Sequence, residues 1–181
     1  MLDFPRYRLQ PRATGLGLVS WGILRPDTGA QVGIAAECRL PEWRRFLPRS
    51  WRGRQLEVRE FPEPALVFRI VWPLGLRPSG ARVFDALDER VGYFSGVPGD
   101  GSGRFEIYLS RLVRLAVVSG SCFDAEFQFT TPKGQALAQV SRSDGPANGE
   151  WLIAMDDCLE HEPIIKMLLL AAVLVLTCSK L

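Results

Sequence analysis

The segment Pro163–Leu181, PIIKMLLLAAVLVLTCSKL, decides the reading of this 181-residue chain. From Met167 to Leu176 every residue is apolar. A helix built from that run has no polar face to turn to water, so protein or lipid must surround it. Crossing a bilayer takes about 20 apolar residues for roughly 30 Å of hydrocarbon. Even counted from Ile164, with Lys166 included, the run is shorter than that. The segment therefore reads as a buried core helix, and the rest of the chain must supply its walls.

Upstream, the apolar residues alternate with period two in short pieces bounded by Gly, Pro, Asp and Asn, the pattern of strands in a sandwich or barrel. The pieces are Tyr7–Gln10, Leu16–Leu24, Gln31–Cys38, Gln55–Glu60, Ala65–Trp72, Ala81–Asp85, Arg90–Ser95, Arg104–Ser110, Val113–Gly120, Ala125–Thr130, Gln135–Arg142 and Glu150–Met155. In Ala65–Trp72 one face is Leu66, Phe68, Ile70 and Trp72, which is the core face. Pro41–Pro48 is the other helix-like stretch, two turns at most, with Trp43, Phe46 and Leu47 at i, i+3, i+4.

Three segments share a strand, polar turn, strand grammar: ILRPDTGAQVGIA from Ile23, VFDALDERVGYF from Val83 and FTTPKGQALAQV from Phe129. Gly29 and Gly134 suit positive-φ turn positions, and Asp85 or Asp88 can bond its own backbone in the second turn. The irregular spacing excludes a solenoid of fixed period. It favours a closed sheet, which has no edges and whose interior an all-apolar helix can fill.

Length and composition fit one domain over residues 1–181: 47% hydrophobic, 23% charged and a net charge of +2. Cys38, Cys122, Cys158 and Cys178 show no CxxC or zinc spacing and read as buried, reduced thiols. The N-terminus MLDFPRYRLQPR places charge and proline where a signal peptide has its apolar core, so the expected location is cytoplasmic. The arginine-rich segment between Arg39 and Arg59 adds the expectation of a place peripheral to the membrane.

The short strands, the repeated strand, D/P-x-x-G, strand units, the WLIAM strand at Trp151 and the closing IIKMLLLAAVLVL helix resemble the tubby C-terminal-like superfamily. Within it the chain looks most like the LURP-one-related and phospholipid scramblase branch. The resemblance spans Tyr7 to Leu181. It implies a mainly β fold, a closed, roughly twelve-stranded antiparallel barrel around the buried hydrophobic C-terminal helix. It implies a non-enzymatic module: tubby proteins bind phosphoinositides and tether to membranes, and scramblases are implicated in calcium-dependent lipid movement. Alternatives are a tail-anchored protein with the helix in the bilayer, and a carrier of a hydrophobic ligand between barrel and helix.

Between Arg39 and Arg59 lie seven arginines against Glu42 and Glu57, a local charge of +5 in a chain whose total is +2. Arg44, Arg45, Arg49, Arg52 and Arg54 are the candidate anionic-ligand contacts. Their planar guanidinium forks grip phosphate at two points, and Trp43, Phe46 and Trp51 interleave as membrane-interface residues do. An alternative is a solvated loop whose aromatics pack inward while the arginines pair locally. The implied partner is an anionic phospholipid or membrane surface, or a protein. With no RRM, KH or helix-turn-helix pattern, nucleic acid is not expected.

Asp156, Asp157, Glu160 and Glu162 precede the helix where scramblases place a proposed calcium segment, although their spacing departs from that motif. Carboxylates ahead of a helix N-terminus are also explained by its dipole, with Pro163 in the first turn. Gly99–Gly103 lacks a GK[ST] ending and a following helix, so it reads as a hairpin loop. His161 is the sole histidine, no GxSxG elbow occurs and no motif implies a cofactor, so an enzyme is not expected.

Overall fold

The computed structural model describes residues 1–13, 19–38, 46, 53–72, 80–96, 105–109, 113–119, 125–143 and 149–178. Twelve antiparallel strands close into a barrel: β1 (Arg6–Ala13), β2 (Val19–Leu24), β3 (Gln31–Glu37), β4 (Arg54–Glu60), β5 (Leu66–Trp72), β6 (Arg82–Asp85), β7 (Arg90–Ser95), β8 (Glu106–Tyr108), β9 (Arg114–Ser119), β10 (Glu126–Thr130), β11 (Ala136–Arg142) and β12 (Trp151–Met155). Each pairs with its neighbour in sequence, and β12 closes on β1 with Arg6 opposite Ala154 and Leu9 opposite Trp151. Every strand read from the sequence is present. The widest differences in length are at β1, eight residues against the four of Tyr7–Gln10, and at β8, three residues against the seven of Arg104–Ser110.

The barrel inherits its inside from the period-two pattern. Phe127, Val140, Ile153 and Tyr7 stand opposite one another across β10, β11, β12 and β1, and all four are buried. On β5, Phe68 and Ile70 are fully buried, the face expected, while Leu66 and Trp72 at its ends are half-buried.

Turn chemistry also follows the sequence. Gly29 and Gly134 adopt φ of 68° and 87°. Asp85 Oδ1 accepts hydrogen bonds from the backbone N–H groups of Leu87 and Glu89, and Asp88 takes the left-handed conformation at φ 69°. These side-chain bonds satisfy turn amides that the ladder leaves over.

The helix α1 (Pro163–Cys178) fills the barrel. A single 3-10 turn, Asp157–Leu159, leads into it. Pro163, which has no N–H to leave unpaired, takes the first helical position, and the Lys166 N–H then donates to the Glu162 carbonyl at 3.1 Å. Side chains from Lys166 to Thr177 are all buried, and Leu168 through Leu174 have no measurable exposure. Gly92 on β7 is a close approach: a Cβ there would lie 2.7 Å from Leu168 Cδ2 and 2.5 Å from the Tyr108 carbonyl oxygen. At β7, therefore, no space for a ligand separates barrel from helix. Among the described residues no helix is long and apolar enough to cross a membrane.

Strict alternation of strand direction sorts the connections between two mouths. The turns β2–β3, β4–β5, β6–β7, β8–β9 and β10–β11, together with the passage from β12 into α1, lie at one end, the near mouth. The connections β1–β2, β3–β4, β5–β6, β7–β8, β9–β10 and β11–β12 depart from the strand ends at the far mouth.

Candidate functional site

The arginine-bearing connection leaves β3 and returns to β4 at the far mouth. Its feet are tied: the Cys38 N–H donates to the Gln55 carbonyl at 2.8 Å, and Glu37 pairs with Leu56 in the ladder. Gly53, at φ 63°, makes the turn into β4 that a side-chain-bearing residue adopts with strain.

Arg54 sits at that foot. Its Nε donates to Glu37 Oε1 at 2.9 Å and its Nη2 to Oε2 at 3.3 Å, a two-point grip, and its guanidinium lies 5.5 Å from the centre of the Trp72 ring. Arg59 is likewise held: it donates to Glu57 Oε2 at 2.8 and 3.1 Å and to the Pro64 carbonyl at 3.0 Å. Phe46 is 90% exposed. Arg44, Arg45, Arg49 and Arg52, and with them Trp43 and Trp51, lie outside the described residues, as does most of the Pro41–Pro48 stretch and all of Gly99–Gly103.

Glu57 links this foot to Cys38. The Arg59 guanidinium holds the Glu57 carboxyl below its ordinary range. Burial, followed by hydrogen bonding to Glu57, pushes the Cys38 thiol up to about 11. A thiol so raised is almost wholly protonated at neutral pH and is a poor nucleophile.

The reading of the cysteines as buried needs correction. Cys38 is half-buried and Cys158 is exposed; Cys122 lies outside the described residues. Cys158 faces outward because the 3-10 turn places Leu159, 3% exposed, into the core and turns its neighbours to solvent. Hydrogen bonding to Asp156 raises the Cys158 thiol as well.

The acidic run before α1 has a structural role at its first member. Asp156 caps the 3-10 turn, Oδ1 accepting from the Cys158 N–H at 3.0 Å. Bonds from Cys158 hold its carboxyl below the usual range. Asp157, Glu160 and Glu162 are exposed, and among the described residues no three His, Cys, Asp or Glu side chains come together to hold a metal ion. What crosses from this run to the helix is a carbonyl: Lys166, 2% exposed, extends its Nζ to the Glu160 backbone oxygen at 3.2 Å. Burial of this ammonium is not among the features expected from the sequence, although the lone charge in that run is its visible signal.

Sequence reasoning also missed a groove of about 850 Å³ on the outer wall near the β12–β1 seam. Phe4, Arg6, Arg25, Asp27, Gln139 and Leu152 are among its walls. Arg25 is engaged on both sides, 4.7 Å from the Phe4 ring centre and 2.6 Å from Asp27 Oδ2. It could not be read from the sequence because its walls come from the N-terminus, the β2–β3 turn and the last two strands.

Comparison with protein-family models, with curated proteins and with solved structures gives no match to this chain.

Proposed function

We propose that the protein is a non-enzymatic binding module of the tubby-like, LURP-one-related or scramblase kind, whose far mouth contacts an anionic phospholipid surface from the cytoplasmic side. The observation that carries this reading is Phe46, 90% exposed in the middle of the arginine-rich connection. The inward-packing alternative wants this ring covered; an interfacial contact wants it presented beside cations. Arg44, Arg45, Arg49 and Arg52 are the proposed lipid contacts. Arg54, its charge matched by Glu37, is the fixed foot at the start of β4 rather than a lipid contact.

Each arginine at an anionic bilayer contributes about 1 kcal/mol, so replacing three removes about 3 kcal/mol, roughly a hundredfold in partitioning. The test is sedimentation with phosphatidylserine or phosphoinositide vesicles. Wild type is expected to co-sediment in a salt-sensitive manner and Arg44/Arg45/Arg49→Ala to remain in the supernatant. Equal sedimentation of the two overturns the reading.

A further inference from the structure

Of the five large hydrophobic residues exposed among the described residues, four are at the near mouth: Phe61 at 50%, Leu87 at 81%, Val113 at 53% and Ile164 at 48%. Phe61, Leu87 and Val113 belong to three successive turns, β4–β5, β6–β7 and β8–β9, and Ile164 to the first turn of α1, which enters the barrel they ring. Alternate hairpins stand two strand spacings apart, about 10 Å. Three apolar tips and the helix start thus occupy one contiguous half of the mouth.

The turn geometry holds them there. Asp85 bonds the Leu87 N–H at 2.9 Å, the Phe61 N–H donates to the Val32 carbonyl at 3.0 Å, and the Leu109 N–H closes on the Val113 carbonyl at 3.0 Å. Tips fixed by their own backbone bonds lose little freedom when a partner covers them.

Charge selects the partner. Glu63 and Glu89 on the same turns, and Asp157, Glu160 and Glu162 beside the helix start, are exposed, with no ion-pair partner among the described residues. Against them this mouth carries three exposed described cations outside the ion pairs, Arg90 at the start of β7, Lys133 on the β10–β11 turn and Arg6 at the start of β1, so the carboxylates outnumber them. Carboxylates around apolar tips repel an anionic bilayer and complement a surface that is cationic and apolar together.

We propose that the near mouth docks a cationic amphipathic segment of a partner protein, Phe61, Leu87, Val113 and Ile164 covering its apolar face and the five carboxylates meeting its lysines or arginines. This surface stands at the opposite end of the barrel from the strand ends, Glu37 and Arg54, that the arginine-bearing connection joins, and does not depend on the lipid reading. A single copy can therefore hold a protein at one mouth with the other mouth free.

The probe is a synthetic amphipathic helix of leucines and lysines, titrated against the full chain by fluorescence anisotropy, beside the same peptide with glutamates for lysines. The Leu/Lys peptide is expected to bind, more weakly as salt rises, and the Leu/Glu peptide not to. Leu87→Ser/Val113→Ser, on exposed turn positions and checked for an unchanged melt, is expected to weaken binding at least about tenfold, as is Glu160→Gln/Glu162→Gln. Unchanged affinity in both variants, equal binding of the two peptides, or attachment to neutral phosphatidylcholine vesicles that the Leu87/Val113 variant loses each overturns the proposal. The last would assign the tips to a membrane.

Discussion

Gly92 and Leu168 report on whether α1 lies against the inner wall as described. A methyl group on Gly92 would meet the Tyr108 carbonyl oxygen at 2.5 Å and Leu168 Cδ2 at 2.7 Å. The first contact is backbone and cannot rotate away; the second is the end of a side chain that can move only into a filled core. Overpacking of this kind costs about 1–3 kcal/mol, partly offset by about 0.4–1 kcal/mol from restricting the unfolded chain. Gly92→Ala is therefore expected to destabilise by about 1–2 kcal/mol, a Tm drop of about 2–8 °C for a chain of this size. Leu168→Ala, at a site with no exposure, removes transfer energy and leaves a cavity, costing about 3 kcal/mol or more.

The two changes should not add. With Leu168 shortened, the Gly92 methyl keeps only its clash with Tyr108, so the double variant should be more stable than the sum by about 1 kcal/mol. Urea unfolding of the four proteins, followed by circular dichroism, measures this. A Gly92→Ala protein within about 0.5 kcal/mol of wild type, or additivity within that margin, would refute helix-to-β7 packing as the cause.

Lys166→Met keeps the length of the side chain while removing a buried ammonium with a single described partner, the Glu160 carbonyl. The expected result is a Tm unchanged or raised by about 2–4 °C, because an apolar replacement has no desolvation cost to offset. A fall of several degrees would show the ammonium to be net stabilising. Maleimide labelling at pH 7, mapped by peptide mass, should modify exposed Cys158 ahead of half-buried Cys38. Since the thiolate reacts, the Cys38 rate should climb about tenfold per pH unit toward its raised value of about 11. Cys38 reacting as fast as Cys158 at pH 7 would contradict the burial and Glu57 contact described for it.

How much was legible follows from how local each signal is. The strand at Ala65–Trp72 is readable because alternation is a property of consecutive residues, and Phe68 and Ile70 are indeed the buried pair. The turns at Gly29 and Gly134 are readable because positive φ is a property of single residues. The grip of Arg54 on Glu37 was not, since its partner is 17 residues away on a neighbouring strand. Exposure of Cys158 was not, since it depends on which way a short turn faces when Leu159 enters the core.

The sequence by itself determined that this chain makes short amphipathic strands and one helix needing cover on every side, because periodicity and an unbroken apolar run are written in neighbouring residues. It did not determine where surface chemistry gathers. Closure of twelve antiparallel strands brings every second turn to one mouth, so Phe61, Leu87, Val113 and Ile164, spread over more than half the chain, become neighbours in a field of carboxylates. That sorting comes from strand direction alone, which is why only the tertiary structure reveals that these four residues share one mouth.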